Sequence, residues 1–564
     1  MSKKLLTLAL ALLMVVAVFA GCAQTPSTTP APADDATEAP EGDATEAPEA
    51  DGDATPAPEG EDGTEPEATL TFDEPQVLEL SCWDIDNAWG ADVEIDKFGQ
   101  FIMDKFNVTF TTRNVTWGDV SEKYNLWAAS NELPATIGNA YVGGATYYQW
   151  INEGVIRALP DDMSMYPTLN QNLQLGEVTA YKVNDQNWFL PRMTYSDPDW
   201  WCMDRGIYYR KDWLEALNLE IPTNEEEFIE MCVAFQTQDP DGNGKNDTIG
   251  LSAITGSWVF WSQGFANYGQ TQGNYVLNAD GTVSVTNTGE QAYKIACMLR
   301  EINKRGGFDP DFMTYASDDD VINKFAAGLI GVFMKQISPT HVDGIYRKWL
   351  PQNPDKEFTE CVGFLPLWDT GVEPVRFGEK AYWSETYFGN KVTDEEMPRY
   401  LALFDWMASE EGILFMGFGF EGEDYTMNED GTITSLMPVK EDGNKMTLAD
   451  KYPNSQFASL SVWTGDNNQY RNPDIDPDVL AMCVAERDRR IAEWADPQMD
   501  WELQAVMTDA KNENTADPIS DWMKMVVDTS DKSNEEWYEE LKANWSALGL
   551  DAALESIAEA YAAE

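Results

Sequence analysis

Between residues 76 and 139 the chain alternates strand-like and helix-like runs, and this order restricts the fold to few classes. Gln76 to Asp84 reads as a strand that ends in Cys82-Trp83-Asp84, and Val108 to Val115 alternates like a second strand. Between them, Asp96 to Phe106 carries apolar residues at helical spacing. A further helical stretch runs through Tyr124-Asn125-Leu126-Trp127, and Leu133-Pro134-Ala135-Thr136-Ile137 leads a short third strand into Gly and Asn. Strands alternating with helices predict an α/β unit, a parallel sheet with helices on both faces. In such sheets ligands sit beyond the carboxyl ends of the strands. That nominates Trp83, Asp84, Asn139 and Tyr141 as the rim of a pocket.

The residues before this alternation read as address and tether. Lys3 and Lys4 precede an apolar run from Leu5 to Ala20, which closes in Phe19-Ala20-Gly21-Cys22. Basic start, apolar run and small residues are the order of a secretory signal, and the run is too short to span a bilayer comfortably. Cys directly after Ala-Gly resembles the lipobox of bacterial lipoproteins, with Phe19 where Leu is usual. The resemblance implies a signal peptide over 1–21 and a diacylated Cys22 as mature N-terminus. Residues 22–74 are mostly Ala, Pro, Thr, Gly, Asp and Glu, and no Lys or Arg occurs between Lys4 and Lys97. So little apolar surface cannot offset chain entropy, so a disordered acidic tether is expected. At about 3.1 Å per residue in polyproline-like stretches it would reach on the order of 150 Å at most.

About 490 residues follow the tether, enough for two large lobes or three smaller domains. Net charge is −61, and 16 of the 98 acidic residues fall in the tether, so the body is itself acidic. A nucleic-acid footprint and a polybasic membrane patch are both absent. His341 is the only histidine, which removes Ser-His-Asp and Cys-His arrangements and multi-histidine zinc sites. Cys82, Cys202, Cys232, Cys297, Cys361 and Cys483 include no Cys-x-x-Cys pair and read mostly as small buried hydrophobes. A paired-carboxylate glycosidase stays open, although no motif nominates the pair.

From Glu153 onward a series of motifs falls in one order. They are Glu153-Gly154-Val155-Ile156-Arg157-Ala158-Leu159, Asn187-Trp188-Phe189-Leu190-Pro191-Arg192, Tyr208-Tyr209-Arg210-Lys211-Asp212-Trp213-Leu214, Phe325-Ala326-Ala327-Gly328-Leu329-Ile330-Gly331-Val332 and Gly419-Phe420-Glu421-Gly422-Glu423-Asp424-Tyr425-Thr426. Together they resemble the extracellular solute-binding proteins of family 1, closest to the large lipoprotein members of Gram-positive bacteria. The resemblance implies a two-lobe periplasmic-binding-protein-like fold of type II, with crossovers near Pro191, Pro366 and Gly422. The first lobe would hold 75–192 and 372–422, and the second 193–371 and 423–564 with a helical C-terminal part. It also implies a non-enzymatic, monomeric binding component of an ABC importer. That component would be lipid-anchored on the extracellular side of the cell membrane and would close on its ligand before meeting permease subunits.

Asp239, Asp241, Asn243, Lys245 and Asp247 stand at positions 1, 3, 5, 7 and 9 of an EF-hand-like loop, with Gly244 at position 6. Alternate oxygens converge on one hard cation, position 7 offers its carbonyl, and Gly permits the sharp turn. Gly250 replaces the usual Glu at position 12, so a Ca²⁺ here is expected in a structural role and at modest affinity.

The 21 tryptophans point to the ligand. Indole faces stack on the apolar faces of sugar rings, which favours an oligosaccharide. The candidates combine an aromatic with a strand end or crossover: Trp83 and Asp84, Trp188 and Arg192, Trp258 and Trp261, Trp383 and Glu385. Trp463 belongs to the same set of possible cleft aromatics, and Arg192 has a second reading as a hinge-locking ion-pair residue. Trp127, Trp213, Trp406 and Trp494 sit in helical patterns and read as structural. The alternatives are a peptide or cationic solute, a surface glycoside hydrolase, and an adhesion module.

Overall fold

The computed structural model describes residues 72–253, 264, 266–271, 273–315, 317–376, 380–440, 445–456 and 460–563. The signal, Cys22, the tether up to residue 71, and Trp258 and Trp261 lie outside the described residues.

The first sheet unit starts as the alternation demands. Strand β1 (Gln76–Leu80) buries Leu78 and Leu80 and pairs in parallel with β2 (Val108–Thr112), from Gln76↔Val108 to Leu80↔Thr112. The helix Lys97–Phe106 makes the crossover. Asp96 caps it by accepting from the Gly99 N–H at 2.9 Å, and Asn107 ends it in the left-handed region at φ 48°. Phe98, Ile102 and Phe106, one face at helical spacing, are its buried stripe.

The third strand departs from the parallel expectation. Strand β3 (Thr136–Asn139) is followed by β4 (Ile156–Arg157) and β5 (Leu190–Met193), and none of these pairs with β1 or β2 in a ladder. The chain then builds the second sheet from β6 (Gly206–Arg210) and β7 (Ile249–Leu251), followed by the hairpin β8 (Tyr275–Leu277) and β9 (Val283–Val285). Strands β10 (Ile330–Lys335) and β11 (Val362–Phe364) complete that sheet in the order β11-β6-β10-β7. Strand β12 (Tyr382–Gly389) then returns to the first unit and pairs antiparallel with β3, β4 and β5. It enters from the ends where β3 and β5 finish, so it runs against them. A hairpin of β13 (Tyr425–Met427) and β14 (Ile433–Ser435) follows.

Each sheet has its own apolar core. Leu78, Ile102, Ile137, Tyr387 and Phe404 share one cluster, while Ile207, Phe235, Leu299, Val332 and Trp522 share another. The chain leaves the first sheet after β5, at Met193, for β6, and leaves the second after β11, at Phe364, for β12. The third crossing differs from the expected position near Gly422. Tyr452 and Leu460 are buried in the first cluster with Leu448 and Trp463 packed against it, and Asn454 donates to the Ala88 carbonyl at 2.6 Å. The segment 448–463 therefore packs with the first core, and the crossing falls at 464–476, before the helix Pro477–Glu493. An apolar strip after a polar hairpin carries no mark of which core it will join.

The C-terminal part is helical, through Pro518–Val527, Asn534–Ala547 and Leu550–Ala563, with Trp522 and Trp545 buried in the second core. Trp213, Trp406 and Trp494 are buried as expected of structural residues, and Trp127 is half-buried beneath the Arg113 guanidinium. Among the described residues no disulfide joins the six cysteines, five of them buried and Cys297 half-buried.

Candidate functional site

The carboxyl ends of β1 and β2 leave the sheet side by side. A parallel bridge joins Trp83 to Val115, and the Asp84 N–H donates to the Val115 carbonyl at 2.7 Å. Asp84 turns the chain at φ 54°, a left-handed conformation that Asp tolerates better than most residues. Trp83 and Trp117 are thereby brought together, with centroids 4.6 Å apart and planes within 11°. Strand β12 begins at the same end, and a register shift between Tyr382 and Ser384 takes Trp383 out of the ladder. Such irregularities re-aim a side chain beside a site. Trp463 is fastened to the end of β5, where its N–H donates to the Met193 carbonyl at 3.0 Å.

The four indoles form a stack two layers deep. Trp383 lies 5.1 Å from Trp463 and 6.0 Å from Trp117, and Trp83 lies 6.1 Å from Trp463. The Arg192 guanidinium sits 4.7 Å from the ring centres of both Trp83 and Trp463. Two groups that close cannot share one ring face, so Trp83 is held between Arg192 and Trp117, and Trp463 between Arg192 and Trp383. Exposure follows the layers: Arg192 is 0% exposed and Trp83 7%, whereas Trp117 is 60% and Trp383 43% exposed. Burial pushes the Arg192 guanidinium down to about 10, still charged at neutral pH.

The other expected rim residues have different places. Glu385 is 1% exposed, and it accepts from the Tyr141 N–H at 2.9 Å, the Val142 N–H at 3.3 Å and the Tyr387 hydroxyl at 2.6 Å. Burial raises its carboxyl. It secures the loop after β3 and is closed to a ligand, contrary to its expected role, because the ladder turns it to the interior opposite Asn139. Asn139 is itself buried in that ladder. Tyr141 is half-buried, edge-on to Trp150 at 4.9 Å. Trp188 packs on the first core and donates to the Val183 carbonyl at 3.1 Å, apart from the stack. Of the nominated residues, the structure brings together Trp83, Arg192 and Trp383, with Asp84 beside them. Trp117 escaped nomination, although it stands two residues past the second predicted strand, where the rule that found Trp83 would have found it.

A separate cavity of about 200 Å³ lies between the segments 195–200 and 466–471. Asp466 lines it, and burial together with nearby Asp204 pushes its carboxyl up to about 7. Asp204 is ion-paired to Arg205 and accepts from the Tyr195 hydroxyl at 3.0 Å. His341 shares a hydrogen bond of 2.8 Å with Ser338, and burial lowers its imidazole to about 4. It is neutral at physiological pH.

The acidic loop after the helix Glu225–Thr237 folds onto itself. Positive φ at Asp239, Gly242 and Gly244 makes the turn, and the Gly244 N–H donates to Asp239 Oδ2 at 3.0 Å. The Asn243 amide bridges Asp241 Oδ2 at 2.6 Å and Asp247 Oδ1 at 3.0 Å. Asp239 Oδ1 is buried without a hydrogen-bond partner among the described residues. Asn243 Oδ1 accepts from the Lys245 N–H at 2.8 Å, and the loop's oxygen donor types, with the Lys245 carbonyl at position 7, are those a hard cation takes. Thr248 is not among the donors, since it is buried and donates to the Phe235 carbonyl at 2.8 Å. Among the described residues, no three His, Cys, Asp or Glu side chains stand together as a metal cluster. The loop's oxygens therefore include only part of a full coordination shell.

Comparison with known proteins fits this architecture. The sequence profile of bacterial extracellular solute-binding proteins matches residues 91–413. The fructooligosaccharide ABC transporter substrate-binding protein FusA of Streptococcus pneumoniae is 28% identical over 218 residues, which is 34% of this chain and 38% of that protein. The polygalacturonan/rhamnogalacturonan-binding protein YtcQ of Bacillus subtilis is 24% identical over 341 residues, 58% of this chain and 64% of its own. The chain thus spans less than two thirds of the length of either relative. FusA in complex with kestose superposes with a TM-score of 0.61 at 16% identity, covering 86% of this chain and 98% of that one. Alginate-binding protein AlgQ2 without calcium ion gives 0.61 at 17% identity, covering 88% and 99%. These likenesses show the fold, a two-lobed solute-binding architecture of type II.

Proposed function

We propose, because this chain belongs to the bacterial extracellular solute-binding proteins, that it is the capture component of an ABC importer and that its ligand is an oligosaccharide. The observation that carries the reading is the pair of outward indoles, Trp117 and Trp383, backed by a second indole layer. A rigid aromatic surface of this kind binds the apolar face of a sugar ring, and fixed rings lose little entropy on binding. FusA and YtcQ, by their names, bind oligo- or polysaccharides, which supports the same class. One lobe would comprise 75–192 and 372–422 with 448–463 added. The other would hold 193–371 and the rest of the C-terminal part. Closure about the crossing segments would cover the ligand. In this reading the chain performs no chemistry.

Two accessory features complete it. Cys22 would carry the lipid, and residues 22–74 would hold the body away from the membrane while leaving it in reach of the permease. The Asp239–Asp247 loop would hold Ca²⁺ through Asp239, Asp241, Asn243 and Asp247 side chains and the Lys245 carbonyl, bracing the start of the second sheet's β7. Thermal-shift and calorimetric titration with fructo-, malto- and galacturonic oligosaccharides tests the main reading. Stabilisation by at least one class without release of reducing ends is expected. Stabilisation by peptides alone, or turnover of the sugar, would overturn it.

A further inference from the structure

The inner face of the tryptophan stack rests on a cation with an unusual set of neighbours. A buried guanidinium is ordinarily neutralised by a carboxylate. Arg192 instead has one hydrogen bond, from Nη1 to Ser384 Oγ at 3.3 Å, while Nε and Nη2 have no hydrogen-bond partner among the described residues. No carboxylate forms an ion pair with it among those residues, so a hinge-locking salt bridge does not account for it. What it does face is aromatic: Trp83 and Trp463 side by side, each centred 4.7 Å away and 6.1 Å from one another. The backbone leaves room for this placement. A Cβ on Gly138 would come within 3.3 Å of Nη1 and 3.5 Å of the Cys82 Cβ.

We propose that Arg192 is the positioning residue of the stack, fastening Trp83 and Trp463 from behind so that Trp117 and Trp383 present one fixed surface to the sugar. The π faces of the inner indoles act as its counter-charge, a pairing that is strongest where water is excluded. Arg192 does not touch the ligand, since it is wholly buried and two indole layers lie between it and solvent. Trp83 and Trp463 come from chain segments far apart in sequence, one after β1 and the other after β13–β14. The single guanidinium therefore joins two separately anchored rings. The inference rests on reading the stack as the sugar-binding surface.

The test uses the full-length body and two readouts. Stacked indoles give an exciton couplet in circular dichroism that needs no ligand, and calorimetry with the oligosaccharide panel gives affinity. Arg192→Met should collapse the couplet with helical ellipticity unchanged and weaken sugar binding about tenfold. Arg192→Lys, which keeps a cation under the rings, should restore part of both. Gly138→Ala crowds the guanidinium without removing it and should give an intermediate loss; with Arg192→Lys it decides the matter if Arg192→Met does not fold. A folded Arg192→Met with full couplet and wild-type affinity overturns the proposal. If the wild type binds no sugar in the panel, the functional reading fails, and the couplet alone then decides whether Arg192 fastens the rings.

Discussion

Trp117 and Trp383 are the residues on which ligand capture turns, because they alone in the stack offer open faces. Loss of a stacking ring is expected to remove about 1 kcal/mol or more, so Trp383→Ala and Trp117→Ala should each weaken sugar binding about tenfold or more, read by calorimetry. Melting temperature should change little for Trp117→Ala, whose ring is mostly exposed. Unchanged affinity in both variants would place the sugar elsewhere. Asp466 makes a prediction about pH. Its carboxyl is raised to about 7 in the folded protein by burial and by Asp204. A raised carboxyl contributes stability that is fully present below its ordinary value near 3.8 and is lost as pH rises through about 7. Asp466→Asn should therefore flatten the fall in melting temperature between pH 5 and 8 (~3 pH units, the span a shifted carboxyl titrates across), with the variant's advantage appearing at the alkaline end. A parallel pH profile for variant and wild type would refute the assignment. At this scale the sequence was partly legible. A strand end locates Trp83, and it locates Trp117 by the same rule. Glu385 was misread because it stands two residues from Trp383, where alternation would place both on one face, and the register shift between Tyr382 and Ser384 that parts them is not visible until the partner strand is known.

Among the elements, β12 shows why local patterns stop short of the sheet. Its eight residues look like a strand in sequence, yet its partners β3, β4 and β5 lie roughly 190 to 250 residues earlier. Pairing at that separation is set by the crossings between the sheets and leaves no local trace. The helix start at Asp96, by contrast, was legible, because its cap is written into the chain. The Asp239–Asp247 loop was equally plain, because its spacing is a local property. It yields a prediction at the same scale. Its oxygens lack a position-12 carboxylate, so affinity should be modest and binding reversible. EDTA should lower the melting temperature by a few degrees, added Ca²⁺ should restore it, and Asp239→Asn should abolish both responses by removing the charge at the orphaned Oδ1. No response to EDTA, with no calcium by mass spectrometry, would show the loop to be a self-satisfied polar turn.

For the whole molecule, the acidic charge and the proposed anchor belong to one argument. A body this negative has little attraction for an anionic bilayer, and like charges on neighbouring copies keep them apart. The attachment proposed at Cys22 is a covalent lipid, which asks nothing of the protein surface. No helix among the described residues is long and apolar enough to cross a membrane. The proposed diacylation at Cys22 would supply two chains, and two are what stable anchoring requires, since one acyl chain gives only marginal binding. The full-length protein expressed in a Gram-positive host should therefore partition into the detergent phase of a Triton X-114 extraction, and Cys22→Ala should move it to the aqueous phase and the culture medium. The sugar affinity of the released body should match that of the anchored form, because the tryptophan stack is built wholly from residues 83 to 463. Retention of Cys22→Ala at the membrane would mean that the body is held there by a contact of its own, and the acidic tether would then need a purpose other than reach.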